Sequence, residues 1–183
     1  MTALAFGFDT VASLTPTPLQ RALTAAPDKP PPGQAKPERE FFAFRVGDLS
    51  LGVPSENVRE VARLGPVTPL PRTPSFLLGV FAHRGEVLPV VDLLRFLGKG
   101  ESRVSDRSRL FVAVSGNYGA AVLTDTVIGL RRFPLSEVLA PPVGAESGVE
   151  HLLGVVHVAA GGTITLVDLP KVLVSARQKL VKR

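Results

Sequence analysis

From Phe41 to about Leu173 the chain is written in short apolar runs, rich in Val, Leu and Phe, joined by two-residue turns that begin with glycine. The turns are Gly47-Asp48, Gly85-Glu86, Gly116-Asn117 and Gly161-Gly162. Runs bounded in this way read as strands, and glycine at the first central position suits a type II′ turn, whose twist matches that of antiparallel neighbours. Four hairpins make the fold mostly β. Between them lie short helical signals. Pro54-Ser55 opens a helical or extended stretch through Val58 and Val61, and Asp92 starts a helix that reaches Leu97 and stops at Gly98. After Asp168, the residues Leu169, Val172, Leu173, Ala176 and Leu180 fall on one helical face, with Pro170 in a first turn that tolerates its missing N–H.

The pattern occurs twice. Leu77-Leu78-Gly79-Val80, Gly85 and Val91-Asp92-Leu93 return as Leu152-Leu153-Gly154-Val155, Gly161 and Val167-Asp168-Leu169. The hairpin from Phe41 to Val53 matches that from Leu110 to Leu123 in type and relative place. Each half offers four or five short strands, which suffices for a small closed barrel without exposed edges. The expected architecture is all-β: two five-stranded barrels side by side, short connecting helices, a C-terminal helix, and a ligand groove between the barrels. The copies differ at one turn. His83-Arg84-Gly85-Glu86 stands where the second copy has Ala159-Ala160-Gly161-Gly162, so the fold does not require an arginine there.

Composition narrows the function. Among 183 residues there is no cysteine, which removes disulfides, thiolate metal sites and cysteine nucleophiles and fits a reducing cytoplasm. No secretory signal opens the chain, and no apolar run reaches the roughly 18 residues of a membrane helix, so direct membrane insertion is not expected. Residues 1–36 are rich in proline and read as a disordered extension. Leu4, Phe6, Phe8, Val11 and Leu14 within it form either a docking segment on a tether or part of a plain tail. The folded domain is expected over 37–175 as two intertwined β-barrel subdomains, with a linker between its halves near 98–107 and a basic end over 176–183. The net charge of +5 equals the five cations Lys171, Arg177, Lys179, Lys182 and Arg183, which occur with no acid among them. A nucleic-acid-binding barrel using Arg95, Lys99, Arg103, Arg107, Arg109, Arg131 and Arg132 is the alternative reading, but a duplex-binding surface wants its excess charge on a folded face.

No reactive constellation emerges. A Gly-x-Ser-x-Gly elbow is absent, and His83, His151 and His157 lack the spacing of a helical zinc pair. Gly98-Lys99-Gly100 lacks the flanking residues of a phosphate loop. Asp92 and Asp168 occupy matched strand-to-helix junctions and read as helix caps. The expected protein is not an enzyme and needs no cofactor or metal. What remains is surface: Arg84 is either an arginine kept for a partner or one arm of an intramolecular pair with Glu60, and both roles are compatible.

In their order and spacing, Phe41-Phe42-Ala43-Phe44-Arg45-Val46-Gly47, Val58-Arg59-Glu60-Val61, Thr68-Pro69-Leu70-Pro71 and Leu78-Gly79-Val80 carry a family signature. It continues through Arg84-Gly85-Glu86-Val87-Leu88-Pro89-Val90-Val91-Asp92-Leu93 and Leu153-Gly154-Val155. Over about residues 41–175 the chain resembles the CheW-type coupling proteins of bacterial chemotaxis. The resemblance implies two SH3-like five-stranded barrels and no catalysis. It implies a bridge between the cytoplasmic tips of chemoreceptors and the regulatory domain of the CheA histidine kinase, with recruitment to receptor arrays. Carried over by position, Phe42, Val58, Val61 and Leu123 line the inter-barrel groove, and Glu60 and Arg84 form the family's charged pair. The turn departs from the usual Asn-Leu-Arg-Gly by reading Ala82-His83-Arg84-Gly85.

Overall fold

The computed structural model describes residues 37–141, 148–158 and 162–181. The proline-rich extension with its apolar cluster, the Gly161 end of the fourth turn and the last two residues of the basic tail lie outside the described residues. In chain order the strands are β1 (Glu38–Val46), β2 (Leu49–Pro54), β3 (Val58–Arg63), β4 (Val67–Thr68), β5 (Leu77–His83), β6 (Glu86–Val91), β7 (Arg109–Ser115), β8 (Tyr118–Thr124), β9 (Thr126–Pro134), β10 (Leu152–Val158) and β11 (Gly162–Val167). The helices are α1 (Leu93–Phe96) and α2 (Leu169–Val181). All four expected hairpins form, β1–β2, β5–β6, β7–β8 and β10–β11. The stretch after Pro54 resolves to a short 3-10 turn at Ser55–Asn57 followed by a strand, because Val58 to Arg63 pair with β7 and alternate between partly buried and exposed.

The two repeats do not each build a barrel from their own strands. One sheet has the order β10-β11-β2-β1-β9 and the other β3-β7-β8-β6-β5-β4. The first repeat's opening hairpin thus sits with the last strands of the second repeat, while the second repeat's opening hairpin sits with β3 to β6 of the first. Parallel contacts close each exchange, β11 on β2 and β6 on β8. The chain is stitched at both crossings. The Asn57 amide donates to the Val114 carbonyl (3.2 Å), and at the counterpart Thr124 Oγ1 donates to the Arg45 carbonyl (3.0 Å) and the Gly47 N–H to Asp125 Oδ2 (2.7 Å).

Exchange explains the uninterrupted apolar runs. On β1, Phe41 and Ala43 face the interior of their own sheet, whereas Phe42, Phe44 and Val46 face a central core shared by both sheets and both helices. On β7, Leu110 and Val112 face their own sheet and Phe111 and Ala113 the shared core. A strand buried on both faces loses the polar half of its alternation. The rings of Phe42, Phe44 and Phe111 meet at 4.8–5.9 Å, so aromatic packing fills the middle of the seam where an open groove was expected.

The repeated Leu-Gly-Val has a steric cause. A methyl group at Gly79 would run into the carbonyl oxygen of Thr68, and one at Gly154 into that of Leu139, the chain segments lying against β5 and β10. Both aspartates cap helices as expected: Asp92 accepts from the N–H groups of Leu94 (2.9 Å) and Arg95 (3.3 Å), and Asp168 from that of Lys171 (3.1 Å). Only Asp92 is fully buried, and it does more. Its carboxylate also takes the Ser102 N–H (2.9 Å) and hydroxyl (2.6 Å) and faces Arg95 Nε at 3.3 Å, which fastens the irregular 98–107 connection to α1. Asp92→Ala is expected to destabilise the fold by about 3 kcal/mol in urea denaturation, because Arg95 and several donors lose their partner together. Asp168→Ala is expected to lose about 1 kcal/mol, the value of a cap alone.

His151, 5% exposed, packs edge-on to Phe96 (5.0 Å) and contacts Ser175 Oγ at 2.9 Å, joining α1 to α2. Burial pushes its imidazole below the ordinary range, and the nearby Glu150 only partly opposes this. With the folded value depressed, both states are neutral above the unfolded value of about 6.5, and below it the unfolded chain takes up the proton first. Stability is therefore expected to fall as pH drops below about 6.5 and down through the folded value. His151→Gln should flatten that part of a melting profile recorded from pH 8 to 5.

Candidate interaction site

The β5–β6 turn places Arg84. Its two central residues are Arg84 and Gly85, one position earlier than the sequence pattern indicated, and both have positive φ (48° and 83°). That is the type I′ hairpin geometry, whereas Gly47 and Gly116 take positive φ alone in their turns, as type II′ requires. An arginine in the left-handed region carries a steric penalty of roughly 1–2 kcal/mol, which Asn or Gly largely avoids. The side chain is 76% exposed, so burial does not repay the penalty.

Glu60 is what Arg84 points at. On β3 the residues Val58, Glu60 and Ala62 face partly inward and Arg59, Val61 and Arg63 outward. The Glu60 carboxylate, 20% exposed, holds Arg84 Nη1 at 3.2 Å on one oxygen, with His83 Nε2 at 3.3 Å and Arg59 Nε at 3.7 Å on the other. Arg59 is itself engaged by Glu86, with contacts of 2.6 and 3.2 Å. These hydrogen bonds, before any desolvation, hold the Glu86 carboxyl below its ordinary range and lift the Arg59 guanidinium above its own. Three cations and two carboxylates thus share one patch on β3 and the β5–β6 hairpin whenever His83 is protonated.

Of the residues expected at a partner surface, Glu60 and Arg84 lie on this patch, whereas Val61, 44% exposed, is on the opposite face of β3 from Glu60. Val58 is partly buried and packs against the shared core. Phe42 and Leu123 are corrections to the expected groove. Phe42, 6% exposed, is part of the aromatic seam, and Leu123, fully buried, fills the interior of the second sheet because its register on β8 points inward. His83 and Arg59 were missed, although the His83 substitution in the turn motif was the available signal. The arginines proposed for nucleic acid are largely engaged elsewhere. Arg95 is bound to Asp92 and Glu101, Arg109 to the carbonyls of residues 106–108, and Arg132 to Glu40. No group of side chains able to hold a metal ion occurs among the described residues, and no helix among them is long and apolar enough to cross a membrane.

Residues 40–177 match the model of the CheW-like domain. The chain belongs to the CheW-like family. It is 60% identical over 86% of its length to Protein FrzA of Myxococcus xanthus, covering 99% of that protein, and 32% identical over 77% to Chemotaxis protein CheW of Rhizobium meliloti, covering 91%. The fold is shared with the scaffolding protein TtCheW of Thermoanaerobacter tengcongensis, at a TM-score of 0.67 and 21% identity over 76% of this chain and 90% of that one. A member of this family is a coupling protein of chemotaxis-like signalling. The nucleic-acid alternative finds no support.

The turn geometry separates structural from functional roles for Arg84. Arg84→Asn, which makes the Asn-Gly pair favoured in type I′ turns, is expected to raise stability by about 0.5 kcal/mol in urea denaturation, since an exposed ion pair contributes little. A loss above about 1 kcal/mol would make Arg84 a structural residue.

Proposed function

We propose that this chain is a non-catalytic adaptor that binds the cytoplasmic tip of a chemoreceptor and the regulatory domain of a CheA-type histidine kinase at the same time, and that it is recruited from the cytoplasm to receptor arrays. The observation that carries the reading is Arg84. It holds a left-handed backbone conformation that the fold would fill better with Asn or Gly, and it presents an exposed guanidinium steadied by Glu60. A planar, fixed guanidinium beside partly apolar surface is the kind of group that dominates a protein interface. The exposed Val87 of β6 supplies apolar area on the same hairpin.

The buried carboxylate of Asp92 is consumed by helix capping and by Ser102, which leaves it no vacant acceptor for proton transfer. Each partner interaction need supply only about 8 kcal/mol, a micromolar dissociation constant, because many copies act together in an array.

Binding of the purified kinase regulatory domain and of a receptor-tip fragment to wild type and Arg84→Ala, measured by calorimetry, tests the reading. At least one partner is expected to bind about 2 kcal/mol more weakly to the variant, with both proteins equally folded. Wild type that binds neither partner, or that turns over a substrate unaided, would overturn it.

A further inference from the structure

His83 stands beside the proposed partner surface, in contact with Glu60. The second repeat has Ala159 at the matching position of its own hairpin. In the first repeat the imidazole lies flat on Phe81, 5.6 Å between centroids with a 20° tilt, and its side chain is only 16% exposed. Nε2 is buried, lacks a hydrogen bond, and faces Glu60 Oε1 at 3.3 Å. Glu60 is the carboxylate this nitrogen faces, at ion-pair distance and without a formed hydrogen bond between them.

We propose that His83 is the specificity-determining neighbour of Arg84, setting through Glu60 how strongly Arg84 is available to an acidic partner. The inference rests on the reading that Arg84 contacts a partner. The charged groups that share the patch with the imidazole are Arg59 and Glu60 on β3, Glu86 on β6, and Arg84 in the turn. With His83 neutral the two arginines and two glutamates cancel. Glu60 then holds Arg84, and the patch offers no net charge. With His83 protonated the imidazolium shares Glu60, the patch gains one positive charge, and the Arg84 guanidinium is released toward a partner carboxylate. The hold of Glu60 on Arg84 therefore differs between the neutral and the protonated imidazole. A leucine at this position, as in the resembling motif, cannot act on Glu60 in this way.

The test compares wild type, His83→Gln and His83→Leu, each as the full chain, for binding to the receptor-tip fragment and to the kinase regulatory domain from pH 8 to pH 5.5. Gln keeps a donor for Glu60 and does not titrate. Partner titration is removed by taking the ratio of wild-type to His83→Gln affinity at each pH. For the partner whose binding depends on Arg84, that ratio is expected to rise about threefold as pH falls, the size of one partly exposed charge interaction. His83→Leu should track His83→Gln in pH dependence. A ratio that stays flat across the range overturns the role of His83. If Arg84→Ala binds both partners as wild type does, the underlying reading of the surface fails instead, and the two failures are told apart by that control.

Discussion

Two strands, β1 and β7, must be buried on both faces at once, and most of the architecture follows from that constraint. Each sends alternate residues into its own sheet and the others into the shared core, where Phe42, Phe44 and Phe111 lock the sheets together. A phenylalanine removed from this contact would open a cavity with no flexible side chain at hand to fill it, since its neighbours are held by strand pairing on both sides. The exchange of hairpins between repeats deepens the dependence. Neither sheet is complete without strands from the other half of the sequence, so the halves cannot separate as independent domains.

Against this symmetric frame the repeats have diverged where the chain needed something local. Asp92 and Asp168 both cap helices, but Asp92 is fully buried because the connection after α1 folds back and places Ser102 on its carboxylate. The hairpin turns diverged in the opposite sense, toward the solvent. The second repeat carries alanines at its turn, while the first carries His83 and Arg84 and spends backbone strain on the arginine. In the first repeat the buried Asp92 fastens the connection after α1, and the β5–β6 turn carries a charged patch tied to β3.

On the proposed function, that patch is where coupling is tuned without touching the scaffold. Glu60 is the single carboxylate on which Arg59, His83 and Arg84 converge, and Arg59 is already paired with Glu86. The availability of Arg84 therefore depends on how its neighbours share one negative charge. Substitutions at this hairpin alter electrostatics while leaving the strand pairing of β5 and β6 intact, so the surface can change more freely than the seam beneath it.

The sequence by itself determined the elements: the four hairpins from their glycine turns, both helix starts from Asp92 and Asp168, and the repeat from Gly79 and Gly154. It also offered a pair between Arg84 and Glu60 as one of two readings of the turn arginine. These are legible because turn chemistry, capping and close backbone approach act over a few residues. Only the tertiary structure decided which hairpin joins which sheet, because parallel pairing of β6 with β8 and of β11 with β2 links segments whose local patterns are nearly the same. It alone placed Phe42 and Leu123 in the interior, since a run apolar on both faces does not say which side meets solvent. It alone brought His83 to Glu60, a contact between two strands, β5 and β3, that are not paired with each other and become neighbours only when the sheet curls.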